Sequence, residues 1–183
     1  MSYQTTYASP VGLLTLASDG DNLNGLWLEN QKHFAENFPE VWVADAHLPV
    51  FEATKKWLDD YFSGQQPAIT HLPLAPIGSE FRQAVWRLLQ EIPYGQVMTY
   101  GEIAKKIAAE MGRKTMSSQA VGGAVGHNPI SIIIPCHRVI GSDGNLTGYA
   151  GGIENKIKLL TLETVEMTNL YVPQAKNKDV SDN

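Results

Sequence analysis

The sequence predicts an α/β N-terminal domain, a small mixed sheet plus a helix, followed by a mainly helical C-terminal domain with a helix-turn-helix and the only cysteine of the chain. Three observations carry this. Apolar alternation of period two is confined to the stretch before position 30, where it fits half-buried strands. From Phe51 onward the apolar residues recur at helical spacing. Between the two patterns, residues 67–78 contain Pro67, Pro73, Pro76 and Gly78, a punctuated connection that neither a helix nor a central strand tolerates. With 183 residues and 43% hydrophobic content the chain can bury a full core. The expected division is 1–78, 79–170 and a polar, flexible tail over 171–183.

Gly12-Leu-Leu-Thr-Leu-Ala-Ser alternates, Asp19-Gly-Asp-Asn22 turns, and Leu23-Asn-Gly-Leu-Trp-Leu resumes, which predicts a β-hairpin. A short strand is expected at Val41-Trp-Val43. Phe51, Lys55, Leu58 and Phe62 share one helical face with Trp57 and Tyr61 beside them, and Ser63 to Pro67 ends that helix. The second domain opens with a helix whose apolar face is Phe81, Val85, Leu88, Leu89 and Ile92, stopped by Pro93-Tyr-Gly95. Thr99-Tyr-Gly-Glu102 has the form of a capping box and starts a helix that Gly112 ends. Ser117 and Ser118 then offer a cap for a third helix to Gly126, with side chains nearly all small. The last two helices and their turn form a candidate helix-turn-helix. An isoleucine strand follows, running into Pro135 and Cys136, then a turn at Gly141–Gly144, a glycine-rich loop at 147–152 and a closing helix with Lys156, Leu159, Leu160 and Glu163.

One cysteine makes no internal disulfide, and the five histidines show no zinc-ligand spacing, so neither a disulfide nor a metal framework is expected. The N-terminus lacks a basic region followed by an apolar core, and no apolar run reaches membrane-spanning length, so a soluble cytoplasmic protein is expected. The net charge of −5 argues at first against a polyanionic partner. Its distribution weakens that objection. Residues 1–78 hold three Lys/Arg against nine Asp/Glu, while Lys105, Lys106, Arg113, Lys114 and Arg138 outnumber Glu110 between 105 and 138. Any nucleic-acid affinity should be moderate and salt-sensitive.

A lone cysteine is usually a small buried hydrophobe. Here it stands in Pro135-Cys136-His137-Arg138, where a β-branched run ends at a proline and the next side chain is presented at an edge or turn. The thiolate, not the thiol, is the nucleophile, so Cys136 needs a base. His137 is adjacent, and a carboxylate would orient its ring. Glu154, Glu163 and Glu166 are all candidates by spacing alone, and Cys-His-Glu suits a hydrolase as readily as a transferase.

The segment Gly126-His-Asn-Pro-Ile-Ser-Ile-Ile-Ile-Pro-Cys-His-Arg-Val-Ile-Gly resembles the active-site signature of the O6-alkylguanine-DNA alkyltransferases, the methylated-DNA–protein-cysteine methyltransferases. The resemblance extends through Thr99-Tyr-Gly-Glu, Ala120-Val-Gly-Gly-Ala, Gly148-Tyr-Ala-Gly-Gly and the helix from Lys156 to Glu163, covering residues 79–165 and, more weakly, the N-terminal region. It implies a suicide reaction on double-stranded DNA, with the alkyl group of a flipped O6-alkylguanine passing irreversibly to Cys136. It assigns His137 as the water-linked base, Glu163 as its carboxylate, Asn128 as the organiser of the hinge before the cysteine, and Tyr100 as the donor to the departing guanine. DNA contacts in the minor groove are implied for Thr99, Gln119, Ala120 and Gly123, with Arg138 and Ser142 beside them, and a base pocket for Val139, Tyr149 and Ala150. No metal, organic cofactor or membrane is implied, and a monomer is expected.

The chain departs from the family at Gln119, where many members place an arginine that fills the gap left by the rotated base. Glutamine can insert and hydrogen-bond there, but it brings no charge and less stacking surface. Two rivals remain. An alkyltransferase-like lesion binder would have replaced the acceptor cysteine, which Cys136 disfavours, and a Cys-His-Glu hydrolase would turn over repeatedly and ignore DNA.

Overall fold

The computed structural model describes residues 1–36, 38, 39 and 41–173. The N-terminal half is a four-stranded mixed sheet in the order β3-β2-β1-β4. Strands β1 (Tyr3–Ser9), β2 (Gly12–Ser18) and β3 (Leu23–Leu28) are antiparallel neighbours, and β4 (Val43–Ala44) joins β1 in parallel. The hairpin of β2 and β3 stands where alternation placed it. Strand β1 escaped sequence reading because Tyr3-Gln-Thr-Thr-Tyr is polar or half-buried throughout, so no apolar alternation marks it. In contrast, β3 is buried along its whole length, and its inner residues Leu26 and Leu28 meet the second half of the chain.

Helix α1 (Pro49–Phe62) has proline in its first turn and buries Val50, Phe51, Thr54, Trp57, Leu58 and Tyr61. Its inward face is centred one position away from the expected one: Tyr61 is buried, whereas Lys55 and Phe62 are only partly covered.

The C-terminal half contains α2 (Glu80–Leu89), α3 (Tyr100–Glu110), α4 (Ser118–Gly126) and α5 (Ile153–Leu162). A two-stranded parallel ribbon, β5 (Met98–Thr99) with β6 (Val139–Ile140), connects the cysteine region to the start of α3. Both expected caps are formed. Thr99 accepts from the Glu102 amide while Glu102 reaches back to the Thr99 amide, and Ser117 accepts from Gln119 and Ala120. Trp86 on α2 donates its indole N–H to Ala124 O at 2.8 Å, locking α2 to α4. One apolar core runs from Leu14 and Phe51 through Val85 and Ile103 to Val125 and Ile134, so sheet and helices share it.

The isoleucine run corrects a sequence expectation. Residues 131–134 form turns, not a strand, and Ile132 holds φ of 72°, a left-handed conformation that is unusual for a β-branched side chain. The polar tail expectation divides. Tyr171 is tied to the turn by backbone bonds to Gly144 and Leu146 and by its hydroxyl to Asp143, whereas residues 174–183 lie outside the described residues.

Thr99→Ala removes the side-chain half of the α3 capping box and is expected to cost about 1 kcal/mol of stability, read from urea unfolding. An unchanged midpoint would mean that the box contributes nothing in this context.

Candidate functional site

The path to Cys136 is set by Asn128. Its Nδ2 donates to Ile130 O (3.3 Å) and Ile134 O (2.8 Å), and its Oδ1 accepts from the Ile130 amide (3.0 Å). One buried amide thus holds both ends of the turn. The N-terminal sheet grips the same segment, because Leu26 N donates to Pro129 O (2.8 Å) and Ser131 N donates to Leu26 O (2.9 Å). Below that contact, Ser131 Oγ donates to Gln31 Oε1 at 2.9 Å. Backbone paired on two sides has nowhere to relax, which is how Ile132 is kept at positive φ. The chain then enters a 3-10 turn, Cys136–Arg138, with Cys136 only 4% exposed.

That turn makes neighbours of groups a strand would have sent to opposite faces. His137 is fully buried, and its Nε2 lies 2.5 Å from Glu163 Oε2. Arg138 Nε donates to Glu163 Oε1 at 2.6 Å and Nη1 to Ile92 O at 2.7 Å. The Tyr61 hydroxyl, from the N-terminal half, donates to Glu163 Oε2 at 2.6 Å. Surrounded by these donors, the Glu163 carboxyl is held well below its ordinary value, at about 2, despite a burial that alone would raise it. An ionised carboxylate only accepts, so His137 carries its proton on Nε2 and leaves Nδ1 with a lone pair. Nδ1 is buried with no hydrogen-bond partner among the described residues. Burial also pushes the imidazole pKa below its ordinary value, outweighing the opposite pull of Glu163. The ring is therefore neutral at pH 7 and able to take a proton.

Burial raises the Cys136 thiol, while hydrogen bonding from Asn128 and the charge of Lys156 work against that rise. Lys156 is itself fully buried, donates from Nζ to Val139 O at 2.5 Å, and is pushed down by desolvation to about 8. Burial and the nearby Cys136 charge push Tyr100 up to about 12, so it stays a donor at neutral pH. A Cβ on Gly148, which has φ of 93°, would stand 3.1 Å from the Tyr100 hydroxyl, so this glycine lets the 147–152 loop close over that group. In the same loop Tyr149 is buried with its ring 6.5 Å from that of His137, and Ala150 O accepts from Lys32 N at 3.0 Å. Asn128, Tyr100 and Tyr149 thus act on Cys136, and His137 lies between Tyr149 and Glu163, while Val139 is held to Lys156 and Ala150 to the loop after β3.

Thr99 spends its side chain on the cap of α3, and Gln119, Ala120 and Gly123 are exposed on α4, with Ser142 exposed in the turn after β6. Arg138 is a correction. It is 9% exposed and its guanidinium is bound to Glu163 and Ile92 O, so it belongs to the support of the histidine and not to a DNA-facing surface. Sequence reasoning missed Tyr61, Gln31, Ser131 and Lys156. Only Lys156 left a signal: Lys156, Leu159, Leu160 and Glu163 fall on one helical face, which puts two charges on the apolar side of α5.

Two sequence models of one family match the chain. The 6-O-methylguanine DNA methyltransferase ribonuclease-like domain matches residues 2–76, and the DNA binding domain of the same description matches residues 80–165. A methylated-DNA–protein-cysteine methyltransferase of Haemophilus influenzae is 45% identical over 163 residues, 89% of this chain and 87% of the relative. One of the same name from Methanosarcina acetivorans is 43% identical over 161 residues, covering 88% and 97%. The crystal structure of Mycobacterium tuberculosis OGT in complex with DNA superposes with a TM-score of 0.75 at 42% identity, covering 88% of this chain and 92% of that one.

The buried histidine sets an expected pH dependence. Below its ordinary value of 6.5 the unfolded chain takes up a proton that folded His137 refuses, so stability falls as pH drops, by at most about 1.4 kcal/mol per pH unit. Glu163 adds its own loss as pH falls from 4.5 toward about 2, because its folded value is the lower one. Urea midpoints between pH 7.5 and 5.5 should therefore slope in the parent and flatten in His137→Gln. Equal slopes would refute the neutral buried ring.

Proposed function

The chain belongs to the 6-O-methylguanine DNA methyltransferase family and repairs DNA by moving an alkyl group from the O6 of guanine to a protein cysteine; we propose that Cys136 is the acceptor and that the groups gathered around it carry the reaction. The observation that carries this is the bare Nδ1 of a neutral, carboxylate-anchored histidine next to the only cysteine in the chain. Cys136 gives its proton through a water to Nδ1, and the imidazolium so formed is paired with Glu163. The positive charge of Lys156 and the hydrogen bond from Asn128 favour the thiolate in an otherwise apolar setting. Its sulfur attacks the alkyl carbon. The S–C bond forms as the C–O bond breaks, and the electron pair of the broken bond passes into the guanine ring. Tyr100 donates to a ring nitrogen, so guanine leaves neutral, and the proton held on His137 restores the tyrosine through solvent. The thioether resists water, so each molecule acts once.

A stacked base cannot reach a buried thiol, so the nucleotide must rotate out of the duplex, at a cost of a few kcal/mol. In this reading α4 enters the minor groove with Gln119, Ala120 and Gly123 facing DNA, Thr99 and Ser142 contact its backbone, and Val139, Tyr149 and Ala150 wall the base pocket. The glycines of α4 support this. A Cβ on Gly123 would meet nothing within 4 Å in the protein, yet a mid-helix glycine costs about 1 kcal/mol relative to alanine. Packing inside the chain does not require that absence of a side chain, whereas close approach of an outside surface does. We assign residues 79–170 to DNA binding and alkyl acceptance and 1–78 to the buttress behind the site. No helix of the described residues is long and apolar enough to cross a membrane, and a cytoplasmic monomer fits a reaction contained in one chain.

Mixed with a duplex containing one O6-methylguanine, the protein should yield methyl on the tryptic peptide that holds Cys136, in one-to-one stoichiometry. Repeated turnover, methyl on another residue, or repair by Cys136→Ser would each overturn the reading. The exposed face of α4 makes a second prediction with two signs. Gln119→Arg should tighten duplex binding and speed transfer by adding charge and stacking surface, whereas Gly123→Leu should fold normally and weaken duplex binding. Electrophoretic mobility shift at fixed salt reads both, and no change in either would remove α4 from the interface.

A further inference from the structure

Away from the cysteine, the loop after β3 and the C-terminal end of α4 bring together two imidazoles and a carboxylate. Ligand atoms of His33, Glu36 and His127 all lie within 4.8 Å of one another. His33 Nδ1 is 2.6 Å from Glu36 Oε2, His127 Nε2 is 3.8 Å from the same oxygen, and the two rings stack with centroids 3.8 Å apart. We propose that His33, Glu36 and His127 form a binding site for a divalent transition ion of the zinc type, which clamps the loop after β3 to the end of the helix preceding Asn128.

The hydrogen bonding of His127 supports this. Its Nδ1 lies 2.7 Å from Gly123 O, and a carbonyl oxygen only accepts, so Nδ1 carries a proton. In the neutral ring the lone pair is then on Nε2, 3.8 Å from a carboxylate oxygen that has only lone pairs to offer. Two donors of electrons converging on one point are matched by a cation. A metal-bound histidine whose other N–H is held by a backbone carbonyl is the usual outer-shell arrangement for such an ion. Two imidazoles and one carboxylate also make the donor set of three-ligand zinc sites, with a fourth position left for water. The three side chains retain between 23% and 48% of their exposure, so they are free to rotate inward to the ~3.4 Å spacing that bonds of about 2.1 Å require.

The backbone of the loop is shaped to present this set. Asn30, His33 and Ala35 all have positive φ, three left-handed residues within one short segment. The Glu36 amide donates to His33 O at 3.2 Å, closing the turn that carries both side chains. Arg82 lines the same cleft but is not ion-paired with Glu36 among the described residues. The spacing rule that left the histidines without a metal framework does not reach this case, since the ligands come from two distant segments. The place of the site gives the ion something to do. The same loop holds Ala150 O through the Lys32 amide and Ser131 through Gln31, so fixing it steadies the wall of the base pocket and the turn before Cys136 at once.

Calorimetric titration of Zn2+ into the chelator-treated full-length chain tests this, with Co2+ absorption as the second readout. The expected result is one ion per chain, retained in Cys136→Ser, weakened at least about 10-fold in His33→Gln and in His127→Gln, and accompanied by a Co2+ spectrum without thiolate charge transfer. Zinc should raise the melting temperature of the parent and not of either histidine variant. Absence of binding, binding indifferent to both histidine substitutions, or binding lost in Cys136→Ser would overturn the proposal. None of these readouts depends on alkyl transfer.

Discussion

The carboxylate of Glu163 is the constraint on which the site depends. A buried charge is tolerated only when hydrogen bonds satisfy its oxygens, and here the donors come from three parts of the chain. Tyr61 arrives from α1, His137 and Arg138 from the 3-10 turn, and a weaker 3.5 Å contact comes from the Gly95 amide. Each donor is thereby placed. The histidine is turned so that Nδ1 is bare, the arginine is withdrawn from solvent, and the N-terminal half is fastened to the C-terminal one. Removing the carboxylate would strand a buried guanidinium and release the ring proposed as base.

The second constraint is on the backbone before the cysteine. Strand β3 extends its pairing beyond its own sheet to Pro129 and Ser131, while Asn128 ties the turn from inside. Reactive groups must be held to within about half an ångström, and loops achieve that only when rigid elements brace them. This gives the N-terminal sheet a part in positioning the turn that leads to Cys136. It also explains why one apolar core spans both halves: a core divided in two would let the bracing strand move relative to the turn it holds.

Much of this was legible before any coordinates. The β2–β3 hairpin, all five helices and the caps of α3 and α4 follow from local pattern, and the residues proposed for the reaction follow from a motif whose spacing is specific. Three readings failed for one reason. The isoleucine run has strong strand propensity, yet the grip of Asn128 and β3 overrides it. Arg138 looked like a surface cation because its sequence neighbours say nothing of Glu163. In α1, spacing identified an apolar stripe but not that Tyr61 would turn its hydroxyl to a carboxylate on another helix.

Period, capping and turn chemistry are properties of a few adjacent residues, so the sequence by itself determined the helices, the β2–β3 hairpin and the Cys136-His137 pair on which the proposed reaction rests. What only the tertiary structure decided is the company each polar group keeps: which glutamate holds His137, where Arg138 and Lys156 place their charges, and that His33 faces His127. Those pairings join residues far apart in the chain. They are chosen by the need to satisfy every buried charge at the same time, a requirement that exists only once the chain has closed around them.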